Sequence, residues 1–143
     1  MIFQLDKATE FPDPRYGNED GFYAVGGEVT AEMLIKAYPM GIFPYFAFRE
    51  EPIIWWAPQK RFMIFSNEVH VSHSMRNLIN KRRYRCTVNQ AFPDVIAGCA
   101  CTDQRIEEYN AWLGPDLIDT WMDLNEEGYA KSVEVWDGDI LVG

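Results

Sequence analysis

The chain has 143 residues, nearly half of them apolar and 15% aromatic, which excludes a disordered composition and suits one domain or a small domain with part of a second. No apolar run reaches the length of a membrane span, the N-terminus lacks a signal-peptide pattern, and three cysteines are too few for a disulfide framework, so a cytoplasmic protein is expected. The net charge is −9, but residues 60–85 hold seven Lys/Arg against Glu68 alone (+6) and the rest carries −15, so one basic stripe able to meet phosphate is expected on an acidic protein.

Phe11 to Gly17, Phe-Pro-Asp-Pro-Arg-Tyr-Gly, predicts an extended, turn-rich segment, because a residue before proline is biased away from helix. Gly21 to Gly27 is a short apolar run closed by a glycine pair, the mark of a tight turn or a close backbone approach. No Gly-x-Gly-x-x-Gly follows, so a nucleotide-binding loop is discarded. Thr30 predicts an N-cap for a helix over 31–40, with Glu32 favoured in the first turn and Val29 and Leu34 spaced as a hydrophobic staple. Met33, Leu34, Ala37 and Tyr38 share a face of that helix, and Gly41 suits its stop.

From Gly41 to Pro58 the chain is rich in aromatics, with prolines at 44, 52 and 58 that fix φ and remove donors. A stiff aromatic loop is expected there, without a long helix or a central strand. Its rings can fill a core or present flat faces to a flat ligand.

Arg61 to Phe65 reads as a short strand. Ser72 predicts the cap of a helix over 72–80, with Met75, Leu78 and Ile79 inward and Arg76 outward. Lys81, Arg82 and Arg83 then fall at its C-terminus, where cations suit both the helix dipole and a phosphate partner. His70 and His73 straddle the helix boundary with no Cys or carboxylate at ligand spacing, so no metal is expected.

Tyr84 to Val88 alternates as a strand, and Asn89 predicts the cap of a helix through Ala100 with Phe92, Val95, Ile96 and Cys99 on one face. Cys86, Cys99 and Cys101 lack Cys-x-x-Cys spacing and are expected as small buried hydrophobes. Thr102 to Asn110 is polar and acidic, a surface excursion. Pro115 opens a helix whose Leu117, Ile118, Trp121 and Leu124 form an apolar stripe, ended by Gly128. Ala130 to Trp136 then alternates as a strand, Asp137-Gly138 signals a hairpin turn, and Asp139 to Val142 begins the return. A terminal hairpin leaves an apolar edge, so further strands are expected after Gly143.

Taken together, several segments resemble one family. They are Phe11-Pro-Asp-Pro, Gly21-x-x-Ala-Val-Gly-Gly-Glu, Leu34-x-x-Ala-Tyr-x-x-Gly-Ile-Phe-Pro-Tyr, Ile53-x-Trp-Trp-Ala-Pro and His70-Val-Ser-x-Ser-Met-Arg. Gln90-Ala-Phe-x-x-Val-Ile, Glu126-x-Gly-Tyr-Ala-Lys-Ser-Val-Glu-Val-Trp and Leu141-Val-Gly follow in order. This set resembles the bacterial leucyl/phenylalanyl-tRNA–protein transferases.

The resemblance implies an enzyme that moves leucine or phenylalanine from aminoacyl-tRNA onto proteins beginning with arginine or lysine, marking them for degradation. It implies an α+β fold: a small N-terminal α/β domain (1–60), then the first part of an acetyltransferase-like (GNAT-like) mixed sheet (61–143). It places the adenosine end of the aminoacyl-tRNA on Tyr38, Tyr45, Trp112 and Trp121. The tRNA phosphates are expected on Arg76, Lys81, Arg82 and Arg83, with no metal, cofactor or membrane.

The chain departs from the family pattern in places. The family usually has tryptophan where Tyr45 stands, tyrosine where Trp121 stands and Thr-Trp-Ile-Thr in place of Ala111 to Gly114. It usually has histidine where Asn125 and Lys131 stand. Its catalytic glutamate and its Asp-Cys-Gln segment correspond to positions after Gly143, so no catalytic residue is assigned here. Two alternatives to the enzyme stay open, a non-catalytic tRNA-binding module and a structural fragment whose rings are all core.

Overall fold

The computed structural model describes residues 2–6, 10–45, 52–100 and 113–143. Trp112, Cys101 and the excursion over 102–110 lie outside the described residues. The fold is mixed α/β, with two sheets and four helices among the described residues.

The first sheet has β1 (Phe3–Leu5), β2 (Phe22–Gly26), β3 (Phe43–Pro44) and β4 (Ile54–Trp56) in the order β1-β2-β4-β3. β1 runs parallel to β2, while β2 and β3 run antiparallel to β4. The glycine pair makes the close approach that its spacing predicts. Gly26 has φ +88, and a Cβ there would lie 2.8 Å from the Leu5 carbonyl oxygen, so only glycine lets the two strands meet. The expectation of a loop without a central strand is corrected, because three residues of β4 fit between Pro52 and Pro58 and pair on both sides. Pro44 sits on edge strand β3, where a missing donor is tolerated. Trp55 is fully buried; its indole N–H donates to the Gly26 carbonyl at 2.9 Å and its ring meets Phe11 edge-on at 5.0 Å.

Helix α1 (Ala31–Ala37) begins as predicted, with the Thr30 hydroxyl accepting the Met33 N–H at 3.2 Å. It tightens into a 3-10 turn over Tyr38–Met40, where Pro39 has no donor, and ends at Gly41 in the left-handed region. Helix α2 (His73–Lys81) is capped by Ser72, and Arg82 ends it with φ 48.

The second sheet joins β5 (Arg85–Val88), β6 (Val133–Asp137) and β7 (Ile140–Leu141) in that order, all antiparallel. The hairpin turn falls on Gly138-Asp139, one residue later than the sequence signal. Helix α3 (Phe92–Ala100) follows β5, and helix α4 (Pro115–Glu126) precedes β6. Leu117 and Leu124 are buried on the predicted stripe of α4, and Gly128 turns the chain away with φ +83. One core cluster links the halves: Trp55, Leu34 and Ile42 join Phe92, Leu124 and Ala130.

Four further expectations are corrected. Arg61 to Phe65 is no strand, and Phe62 is 96% exposed; a short apolar run makes a strand only where an edge offers backbone partners, and no described strand pairs with it. Met75, Leu78 and Ile79 are not in the core, because α2 meets only the rim of the second sheet. Cys86 and Cys99 are exposed as well: Cys86 lines the open groove beside α2, and Cys99 lies in the last turn of α3. Asn89 is no cap; it takes φ 55, and its side-chain oxygen accepts the Asn125 amide at 2.5 Å.

Candidate nucleic-acid interface

The cap that Asn89 does not supply comes from Glu134, 43 residues beyond Ala91. Strand alternation turns Val133 outward and Glu134 inward, so the carboxylate is fully buried under the start of α3. It accepts N–H bonds from Gln90 (3.1 Å) and Ala91 (3.3 Å) and hydroxyl bonds from Ser132 (2.5 Å) and Thr87. Burial pushes this carboxyl up, but the Ser132 and Thr87 hydroxyls and the Ala91 and Gln90 N–H groups outweigh it and hold it at about 2. The Trp136 indole N–H then donates to the Thr87 hydroxyl at 2.8 Å, tying the two strands through one network.

Among the sequence-predicted site residues, the structure brings Tyr38 and Trp121 together. Their ring centroids lie 5.8 Å apart with planes inclined by 30°. A third ring inserted between them would need about 7–8 Å, two van der Waals separations, so a flat ligand must use an outer face or part the pair. Both rings line an apolar cleft of about 240 Å³. Leu34, Ile35 and Pro39 line it from the α1 side, and Leu124, Tyr129 and Ala130 from the α4 side. Burial pushes the Tyr38 hydroxyl up to about 12, so it stays a neutral donor at physiological pH. A bond of 3.2 Å from the Thr120 hydroxyl to the Val29 carbonyl fixes α4 against the start of α1.

The other predicted residues do not join this pair. Tyr45 is half exposed at the end of β3, with its carbonyl accepting the Trp56 indole N–H at 3.0 Å, and it is not part of the cleft wall. Trp112 falls outside the described residues.

The basic residues separate by what they touch. Arg76, Lys81 and Arg82 are exposed at α2. Arg83 pairs with Asp137 at 3.1 Å and lies over the Tyr84 ring. Arg61, counted in the basic stripe, is a backbone clamp: it donates to the carbonyls of Pro58 (3.0 Å) and Gly41. Arg85 covers the Trp136 ring. Beside the α2 cations runs a second groove of about 360 Å³, floored by Met75, Leu78, Ile79 and Val135. Among the described residues, no group of three or more His, Cys, Asp or Glu could hold a metal, and no helix is long and apolar enough to cross a membrane.

Sequence reasoning missed two residues. Glu134 stands in the family-like segment Glu126 to Trp136, but nothing in its chemistry pointed to a buried role, since a single acid in a strand usually points to solvent. Tyr129 gave a weak one, an aromatic residue directly after a helix-ending glycine.

A family model described as leucyl/phenylalanyl-tRNA protein transferase matches residues 63–143, and the model of its N-terminal domain matches residues 27–59. Curated relatives bear the same description. One from Flavobacterium psychrophilum is 40% identical over 139 residues, covering 97% of this chain and 65% of the relative. One from Anaeromyxobacter sp. is 39% identical over 142 residues (99% and 60%), and one from Flavobacterium johnsoniae is also 39% identical over 142 residues (99% and 66%). The chain thus spans 60–66% of the length of these relatives.

Proposed function

Since the chain belongs to the leucyl/phenylalanyl-tRNA–protein transferase family, we propose that its protein transfers leucine or phenylalanine from aminoacyl-tRNA to the N-terminal arginine or lysine of other proteins, with the α1–α4 cleft holding the terminal adenosine. The observation that carries the reading is the Tyr38–Trp121 pair on an apolar wall. Every base has a π-face, and aromatic stacking holds it without demanding a sequence. Tyr45 and Trp112 are proposed to contribute to adenosine binding as well, and Arg76, Lys81, Arg82 and Arg83 to take tRNA phosphates.

In the proposed reaction the acceptor's α-amine attacks the ester carbonyl carbon, and the oxygen becomes an oxyanion. The carbon–oxygen bond to the ribose then breaks, and the proton lost by the amine goes to the ribose oxygen. The ester already supplies the driving force, so the protein's work is positioning, proton transfer and oxyanion stabilisation. Among the described residues no carboxylate, histidine or lysine lines the α1–α4 cleft, so its residues are assigned to binding and orientation. The same observation favours one alternative, a tRNA-binding module without transfer chemistry.

We place the protein in the cytoplasm, where charged tRNA is found, and propose that its product enters protein degradation. Two domains, 1–60 and 61–143, are proposed, the second with an acetyltransferase-like sheet; the separate sheets on either side of residue 60 support the division. The test is filter binding of phenylalanyl-tRNA against the same tRNA deacylated, alongside transfer of labelled phenylalanine to an Arg-initiated peptide. Preference for the charged form that is lost in Trp121→Ala supports the cleft. Equal binding without transfer selects the RNA module, and no binding of either form overturns both readings.

A further inference from the structure

We propose that Tyr129 is a further ligand-contacting residue of the α1–α4 cleft, supplying an aromatic contact to the base from the side of the α4 C-terminus. The inference rests on the reading of the cleft as the adenosine site and adds a residue that the reading does not contain.

Three observations carry it. Tyr129 lines the same cleft as Tyr38 and Trp121, yet its residue is 65% exposed, so the ring is not spent on the core. Its backbone is nonetheless fixed. The N–H groups of Tyr129 and Ala130 both donate to the Leu124 carbonyl, at 2.8 and 3.0 Å, closing the helix end after Gly128. The Asn125 amide donates to the Ala130 carbonyl at 2.9 Å and to Asn89 at 2.5 Å, which ties this turn to the end of β5. A large exposed ring on a pinned backbone loses little further freedom when a ligand arrives.

Size and chemistry narrow the occupant. The cleft, about 240 Å³, is below the usual range of roughly 300–1,000 Å³ for drug-sized ligands, which suits one flat heteroaromatic ring and not a whole nucleotide. Its walls are hydrocarbon and aromatic, and the hydroxyls of Tyr38 and Tyr129 are able to donate to or accept from the edge of a base.

The test is equilibrium binding of an amide-linked phenylalanyl-adenosine, which cannot hydrolyse, to the 143-residue chain and to its Tyr129→Ala, Tyr129→Phe and Trp121→Ala variants. Thermal melts confirm that each is folded, and the exposure of Tyr129 predicts little change for its variants. Tyr129→Ala is expected to weaken binding roughly 5- to 100-fold, the scale of one lost stacking contact, while Tyr129→Phe stays near the parent. A loss in both variants also supports the contact and assigns it to the hydroxyl. Unchanged affinity in Tyr129→Ala with a loss in Trp121→Ala overturns the inference and leaves the cleft reading standing. No binding by the parent, or no loss in any variant, overturns the cleft reading and the inference with it.

Discussion

Glu134 has the most to lose from a single proton. Its carboxyl is held at about 2 in the folded state, well below its ordinary value of 4.5. A depressed acid adds stability that is fully present above its unfolded pKa and disappears as pH falls through the folded one. Urea midpoints should therefore decline from about pH 4.5 towards pH 2, and Glu134→Gln should flatten that decline. At pH 7 the variant should be less stable, because Gln90 and Ala91 lose an ionised acceptor, and the difference should close towards pH 2. Parallel pH curves for the two proteins would contradict the assignment. Gly41 gives a second residue-scale expectation. It sits at φ +73, and a Cβ there would meet the Arg61 guanidinium at 2.8 Å. Gly41→Ala should cost about 1–2 kcal/mol from backbone conformation alone, with a further loss as Arg61 gives up the Gly41 carbonyl. In an Arg61→Ala background only the backbone part should remain, which a double-mutant cycle in urea measures.

At the scale of elements, α2 combines an incompletely covered apolar face with three exposed cations. If those cations hold phosphate, replacing Arg76, Lys81 and Arg82 by glutamine should lower the slope of log affinity for tRNA against log salt by about 0.7–0.9 per contact. Arg83 is already engaged by Asp137, so Arg83→Gln should change the slope less, and Asp137→Asn should strengthen tRNA binding. Equal effects from all four cations would contradict this ranking. The element starts that were legible in the sequence are the ones written locally. Thr30 and Ser72 cap helices three residues away, and Pro115 begins α4. Those misread depend on distant partners. The N-terminus of α3 is satisfied from β6, and Arg61 to Phe65 is a strand-like apolar run without a described partner. In the candidate site, the family resemblance singled out Tyr38 and Trp121, but not that the two rings touch or that Tyr129 faces the same cleft.

Across the whole molecule, the first sheet shares one apolar cluster with helices α1, α3 and α4, so disturbance at one end should be felt at the other. Leu124 is buried in that cluster, and Leu124→Ala should cost about 2–5 kcal/mol. Unfolding of this variant and of the parent, followed by circular dichroism and by indole emission, should give coincident transitions, whereas separated midpoints would mean that the two halves of the chain melt independently. Indole emission has a further use. Trp121 lies half-buried against Tyr38, while Trp55 is sealed in the core. A base that stacks on the Tyr38–Trp121 pair should dim one emitter and leave the other bright. Difference spectra against Trp121→Phe would isolate that signal, giving the protein a built-in optical gauge of ligand occupancy that needs no label.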